Sequence, residues 1–142
     1  MPENGAEKET RVVGFFCENS ACRASDLAGD LPGALRVIRV PCAGKVDELY
    51  ILQALENGAD GVLVLGCFTE SCRSLRGNVR IKKRLVRVQE MLSEIGIEPA
   101  RIKYCEVTGN QDRRLTAIIQ DFITELTALP DQPDSIEKAV KS

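Results

Sequence analysis

Histidine is absent from all 142 residues. Its absence removes Cys-His catalysis, Cys2His2 zinc sites and Rieske-type ligation together, because each needs an imidazole. Long apolar runs are missing as well. None approaches the roughly 20 residues that cross a bilayer, and the opening MPENGAEKETR has no apolar core of the signal-peptide kind. No Gly-x-Gly-x-x-Gly follows the first apolar run, and Gly66-Cys67 is not a phosphate loop, so no nucleotide motif is evident. Positive charge is not in excess either. A formal net charge of -2 and a pI near 5.3 lack the basic footprint of a general nucleic-acid binder. These absences predict a soluble, cytoplasmic chain with no membrane insertion and no nucleic-acid partner.

What the sequence does contain is 44% hydrophobic residues and six cysteines. A chain of this length buries roughly 68–70% of its unfolded surface as one domain, so folding needs no covalent or metal staple. In a reducing compartment the cysteines are then ligands, redox groups or core residues rather than structural disulfides. The stretch that organises them is Ala59 to Arg76, ADGVLVLGCFTESCRSLR. Gly61 to Gly66 is a short, β-branched apolar run bounded by glycines, the pattern of a buried strand. It delivers Cys67 into a polar loop that returns a second thiol at Cys72.

Taken in order, residues 1–10 read as a polar arm and Arg11–Cys17 as the first strand. A short helix is expected around Asp26–Asp30, stopped near Leu31-Pro32-Gly33, and Leu35–Val40 is the second strand. Val46–Asn57 has helical spacing with Leu49, Leu52 and Leu55 inward, closed by Gly58. After the third strand and the Cys67–Cys72 loop, Asn78 is the expected cap of a long helix with Ile81, Leu85, Val88, Leu92 and Ile95 on one face, ended by Gly96. Arg101–Val107 is a fourth strand and Asp112–Leu129 a fourth helix, with Leu115, Ile118, Ile119, Phe122 and Leu126 together. Residues 131–142 read as a polar tail outside the 11–130 domain.

Strands alternating with helices predict an α/β fold: a flavodoxin- or Rossmann-like parallel sheet of about four strands, order 2-1-3-4, with helices on both faces. Ligands of such sheets gather beyond the carboxyl ends of the strands. Three strands stop at Cys17, Cys42 and Cys67, and Cys72 follows closely, so four thiols are expected on one edge. Cys105, inside the fourth strand, reads as a small buried hydrophobe. Four thiolates suit an iron-sulfur cluster, either 2Fe-2S or 4Fe-4S, and the spacing does not choose between them. A zinc-stabilised interaction module and a small thiol-disulfide oxidoreductase, pairing Cys17 with Cys42 or Cys67 with Cys72, stay open beside it.

At these residues the chain resembles a known family. VIRVPCAGKVDELYILQALENGADGVLVLGCFTESCRSLRGN and the following RIKKRLVRVQEMLSEIGIEPARIKY are similar to the iron-sulfur delta subunit of methyl-viologen-reducing hydrogenase. The resemblance covers about residues 11–128 and implies a 2Fe-2S electron carrier held by Cys17, Cys42, Cys67 and Cys72. It further implies relay from a subunit of a hydrogenase or other dehydrogenase to a heterodisulfide reductase A-like flavoprotein subunit, or the reverse, without substrate turnover by the chain alone. Two departures stand out. The family's first motif usually reads Cys-x-Trp-Cys, whereas this chain has Cys17-Glu18-Asn19-Ser20 with Cys22 two residues later, and Arg73 stands where a histidine often follows the last cysteine.

Basic residues form the remaining feature. Arg73, Arg76, Arg80, Lys82, Lys83, Arg84 and Arg87 concentrate positive charge after the cysteine loop of an acidic chain. They read either as a solvated helix face or as a patch that orients an acidic partner surface.

Overall fold

The computed structural model describes residues 10–18, 20–29, 31–66 and 77–129, with the backbone alone for 77–79. Residues 1–9 of the expected arm, the tail, the Cys67–Cys72 loop, Arg73 and Arg76 lie outside the described residues. The strands are β1 (Val12–Cys17), β2 (Leu35–Val40), β3 (Gly61–Gly66) and β4 (Ile102–Glu106). All pairings are parallel and the order is β2-β1-β3-β4, the predicted topology. The helices are α1 (Ala21–Ala28), α2 (Glu48–Glu56), α3 (Gly77–Glu94) and α4 (Asp112–Thr127).

The pleat sorts the core into two layers, because successive strand side chains leave opposite faces. Val62 and Val64 of β3, with Phe15 of β1, pack beneath Ile51 and Leu55 of α2 and Ile81, Leu85, Val88 and Leu92 of α3. Leu63 and Leu65, with Val12 and Phe16, pack beneath Ala21, Cys22 and Ala24 of α1 and Leu115, Ile119, Phe122 and Leu126 of α4. This double coverage explains why GVLVLG is apolar throughout rather than alternating: every residue of β3 is buried. β2 is an edge strand, with Arg36 to Arg39 exposed and a groove of 590 Å³ between it and α2.

Several expected boundaries move. α1 starts at Ala21, five residues before Asp26, because Ala21, Cys22 and Ala24 form a small buried face against the sheet; Gly29, at φ 75°, lies at its end. α2 starts at Glu48, where Asp47 Oδ1 accepts from Leu49 N at 3.2 Å as a helix cap. Its buried residues are Ile51 and Leu55, while Leu49 is 56% exposed and Leu52 is half-buried. α3 opens at Gly77, so Asn78 lies within its first turn instead of capping it. Ile95 falls after the helix and is 38% exposed; Ile97 takes the buried place. Gly58 and Gly96 adopt left-handed φ of 103° and 86°, as expected of residues that end helices.

Candidate metal-cluster edge

The strand register aligns the carboxyl ends of all four strands. Cys17 is level with Val40, Phe16 with Leu65, and Gly66 with Glu106. The ladder runs one step further where Glu18 N donates to Val40 O at 2.9 Å. Cys17 therefore ends β1 in the middle of the sheet edge, and alternation places it on the same face as Phe15, the α2/α3 side. Cys17 is 1% exposed and its thiol donates to the Pro41 carbonyl at 3.9 Å.

Beyond β2 the chain folds over this edge as a tight turn. Lys45 N donates to Cys42 O at 2.9 Å and Val46 N to Ala43 O at 3.1 Å. Cys42, 4% exposed, has extended backbone at the head of this turn, and its Sγ accepts from Gly44 N at 3.4 Å. The sulfur is thus held as an acceptor by a backbone amide, the kind of outer contact that orients a sulfur ligand. Arg84 of α3 fastens the turn from above. One guanidinium nitrogen donates to the carbonyls of both Gly44 and Val46, the latter at 3.0 Å.

The turn also closes on β3. A Cβ added at Gly66 would lie 3.2 Å from the Ala43 side chain and 2.7 Å from Tyr104 Oη. Glycine at 66 is what lets the Cys42–Val46 turn and β4 approach the end of β3 together. Gly66 O accepts from Val107 N at 3.0 Å, which continues the β3–β4 ladder past the strand. Cys67 is the next residue in the chain. Cys67 and Cys72 themselves lie outside the described residues.

The other two cysteines are used differently. Cys22 is buried on α1 within the α1/α4 layer, and its thiol donates to Phe16 O at 3.3 Å. Burial pushes the Cys22 thiol above its ordinary pKa, the Arg39 charge opposing only in part. Here Cys22 packs as a core residue of the α1/α4 layer. Cys105 is only half-buried because β4 is an edge strand, and desolvation raises its thiol too. Cys17, Cys22, Cys42 and Cys105 are all free thiols. Among the described residues no three His, Cys, Asp or Glu side chains gather as a metal site.

The residues present fit a thiolate-ligated iron-sulfur group. Two buried sulfurs of soft-donor chemistry belong to the end of β1 and the turn beyond β2, outside any disulfide, one of them already supplied with a backbone N–H. Ser20, whose N donates to Cys17 O at 3.2 Å, is 2% exposed, and its hydroxyl has no hydrogen-bond partner among the described residues.

Comparison with known proteins shows the family. The family described as methyl-viologen-reducing hydrogenase, delta subunit, matches residues 12–130. The chain belongs to that family. It is 35% identical over 120 residues to the iron-sulfur D-subunit of the F420-non-reducing hydrogenase of Archaeoglobus profundus, covering 82% of this chain and 88% of that one. The corresponding vhu iron-sulfur D-subunit of Methanopyrus kandleri is 33% identical over 119 residues, covering 81% and 90%. The A-subunit of the ferredoxin:CoB-CoM heterodisulfide reductase of Methanosarcina mazei is 35% identical over 119 residues, covering 81% of this chain but only 15% of its own length. As a delta-subunit family member, this chain is thus similar both to proteins of about its own length and to one part of a much longer chain.

Two residues that shape the edge were not visible as such in the sequence. Arg84 reads as one more cation of a basic run, although its place three residues after Ile81 and one before Leu85 puts it on the flank of the buried stripe. Gly66 reads as a strand boundary, and only the packing of Ala43 and Tyr104 shows why it lacks a side chain. Among the described residues of the basic run, Lys82, Arg84 and Arg87 have partners within the protein. Arg87 pairs with Glu48 at 2.7 Å, and Lys82 meets Glu106 at 3.3 Å and lies 5.5 Å over the Tyr104 ring. Arg80 and Lys83 are exposed. No helix of the described residues is long and apolar enough to cross a membrane.

Proposed function

We propose that this chain is a cytoplasmic electron-transfer subunit that holds a 2Fe-2S cluster on Cys17, Cys42, Cys67 and Cys72. Its two partners are a subunit of a hydrogenase or other dehydrogenase on one side and a heterodisulfide reductase A-like flavoprotein subunit on the other, with electrons relayed between them. Such a cluster supplies one-electron chemistry at a potential set by the hydrogen bonds and solvent exposure of its sulfurs. The chain's own residues bury the Cys17 and Cys42 sulfurs, keep water from them and aim the Gly44 amide at one of them. The observation that carries the reading is the folding of the Cys42 turn onto Gly66, the residue before Cys67, beside the end of β1. The names of the relatives support an iron-sulfur group and both classes of partner.

Anaerobic purification tests it, with a visible spectrum, iron and sulfide analysis and electron paramagnetic resonance after reduction. The expected result is two irons and two sulfides per chain, lost on serine substitution at Cys17, Cys42, Cys67 or Cys72 and kept in Cys105→Ser and Cys22→Ser. A colourless protein with one zinc, or full iron content in Cys42→Ser, refutes the assignment.

A further inference from the structure

The side of β2 that faces α2 stays open among the described residues. Strand register puts Ile38 beside Phe15 and Val40 beside Cys17, on the face that α2 and α3 cover elsewhere in the sheet. Here α2 stands off, and the groove of 590 Å³ remains, with Val13, Phe15, Ile38 and Val40 along its floor and Tyr50 and Ala54 on the helix side. Ile38 is 39% and Tyr50 51% exposed. Arg11 and Arg36 also line the groove and are exposed, whereas none of the described residues that line it is acidic, in a chain whose Asp and Glu outnumber its Lys and Arg. An apolar floor beside two unopposed cations suits an apolar ridge that brings carboxylates with it.

Residues 130–142, PDQPDSIEKAVKS, carry that chemistry. Ile136, Ala139 and Val140 recur at the spacing of one helix face, and Asp134 followed three residues later by Glu137 is the signature of a helix start. At about 3.6 residues per turn, Lys138 and Lys141 fall on the opposite face and Glu137 on the flank of the apolar one. Pro130 and Pro133 suit a non-helical connection before it. The connection starts in the right place. Thr127 Oγ1, at the end of α4, lies 2.9 Å from Thr10 Oγ1, next to Arg11, and Val12 N donates to Ala34 O at 2.9 Å, so Arg11 and the Gly33–Leu35 mouth of the groove share one end of the sheet. Residues 130–134 extend up to about 17 Å, a length that carries the chain round that end. We infer that residues 134–141 dock as a short amphipathic helix in the groove between β2 and α2 of the same chain, with Ile136, Ala139 and Val140 on its floor and carboxylates toward Arg11 and Arg36. The contact is independent of the cluster reading. It covers the apolar side of an edge strand, which otherwise invites association with other chains.

Photocrosslinking in the purified 142-residue chain tests this. The photoreactive residue p-benzoylphenylalanine replaces Tyr50 in one preparation and Gln53 in a second, both exposed positions on the groove. A control carries it in place of Met91 of α3, which is 43% exposed and outside the groove. Monomer and dimer bands are separated, and the crosslinked residues are located by mass spectrometry. The expected result is a monomer band crosslinked to residues 134–141 from positions 50 and 53 and not from 91. Ile136→Asp with Val140→Asp is expected to cut that yield about tenfold, since two apolar side chains leave the floor, with the circular dichroism of the domain unchanged. Crosslinks to residues 1–9, or to a second copy in the dimer band, overturn the assignment. So do the lack of any crosslink from both groove positions, an equal yield from position 91, and a yield unchanged by the paired aspartates.

Discussion

Replacing Arg84 with methionine removes the clamp on the Cys42 turn while keeping much of the apolar stem. One guanidinium nitrogen serves both Gly44 O and Val46 O, so the loss is two charge-assisted hydrogen bonds. Bonds to a charged group contribute roughly 1.5–3 kcal/mol each. The site is half-buried, so water recovers part of this and a net loss of about 2 kcal/mol is expected. In a domain of this size that is a drop in Tm of about 4–8 °C. Urea unfolding of the reduced, metal-free protein, followed by far-ultraviolet circular dichroism, measures it, with an unchanged m value expected. A second readout is local. Iodoacetamide should alkylate Cys42 faster in the native Arg84→Met protein, because the turn that buries its sulfur is released, while Cys22 on the other face of the sheet keeps its rate. Arg84→Lys should recover part of both effects, since a single nitrogen makes both bonds. If Arg84→Met lost less than about 0.5 kcal/mol and Cys42 labelling did not change, the turn would be held by its own backbone bonds from Lys45 and Val46, and the clamp would be superfluous.

Gly66→Ala places a Cβ 2.7 Å from Tyr104 Oη, which is itself bonded to Glu106 Oε2 at 3.1 Å, and 3.2 Å from Ala43. Overpacking of this kind costs about 1–3 kcal/mol, and Gly66→Ala with Tyr104→Phe, which removes the nearest atom, should recover part of it in the same urea assay. At the opposite edge of the sheet, Glu98 accepts from the buried Arg101 guanidinium at 2.6 Å; burial pushes its carboxyl up, but this bond, a backbone hydrogen bond and the Arg101 charge together outweigh it and the pKa is lowered. A carboxylate with a lowered folded-state pKa stabilises the protein above its ordinary pKa, and the contribution is lost as pH falls through the folded value. Glu98→Gln should therefore flatten the acid limb of the stability-pH curve and cost of order 1 kcal/mol at neutral pH, where urea midpoints are compared.

The order of the sheet was readable because the sequence alternates short β-branched runs with helical periods, and right-handed crossovers leave few ways to arrange four parallel strands. Boundaries were less readable where small residues make the contacts. Ala21, Cys22 and Ala24 bury α1, yet nothing in ACRASDLA shows the large apolar stripe that marks α3 or α4. α2 rotated away from expectation for a related reason. LYILQALE is apolar on nearly every side, so spacing alone cannot choose between Leu49 and Ile51, and the sheet chooses Ile51. For the edge, the positions of Cys17 and Cys42 followed from strand ends alone. The placement of Cys22 did not, because its distance of five residues from Cys17 suits a loop and a helical core position equally well, and only the helix start at Ala21 places it in the α1/α4 layer.

The basic run has partners within the fold as well as exposed charge. Of the residues from Arg80 to Arg87, three act within the fold: Arg84 on the turn, Arg87 on Glu48 and Lys82 on Glu106. Each of these ties α3 to an element of the sheet edge or to the start of α2, so the helix that follows the cysteine loop is fixed against the turn that precedes it. Exposed pairs such as Arg87–Glu48 contribute little stability singly, typically under about 1 kcal/mol. Their value here is register: they fix which turn of α3 faces the Cys42 segment, and Arg84 then meets two carbonyls at once. Among the described residues, Arg80 and Lys83 are exposed and could offer charge to a partner within a Debye length of about 8 Å at physiological salt. The positive charge of α3 is therefore divided, with Arg84 spent on building the edge and Arg80 and Lys83 left facing outward.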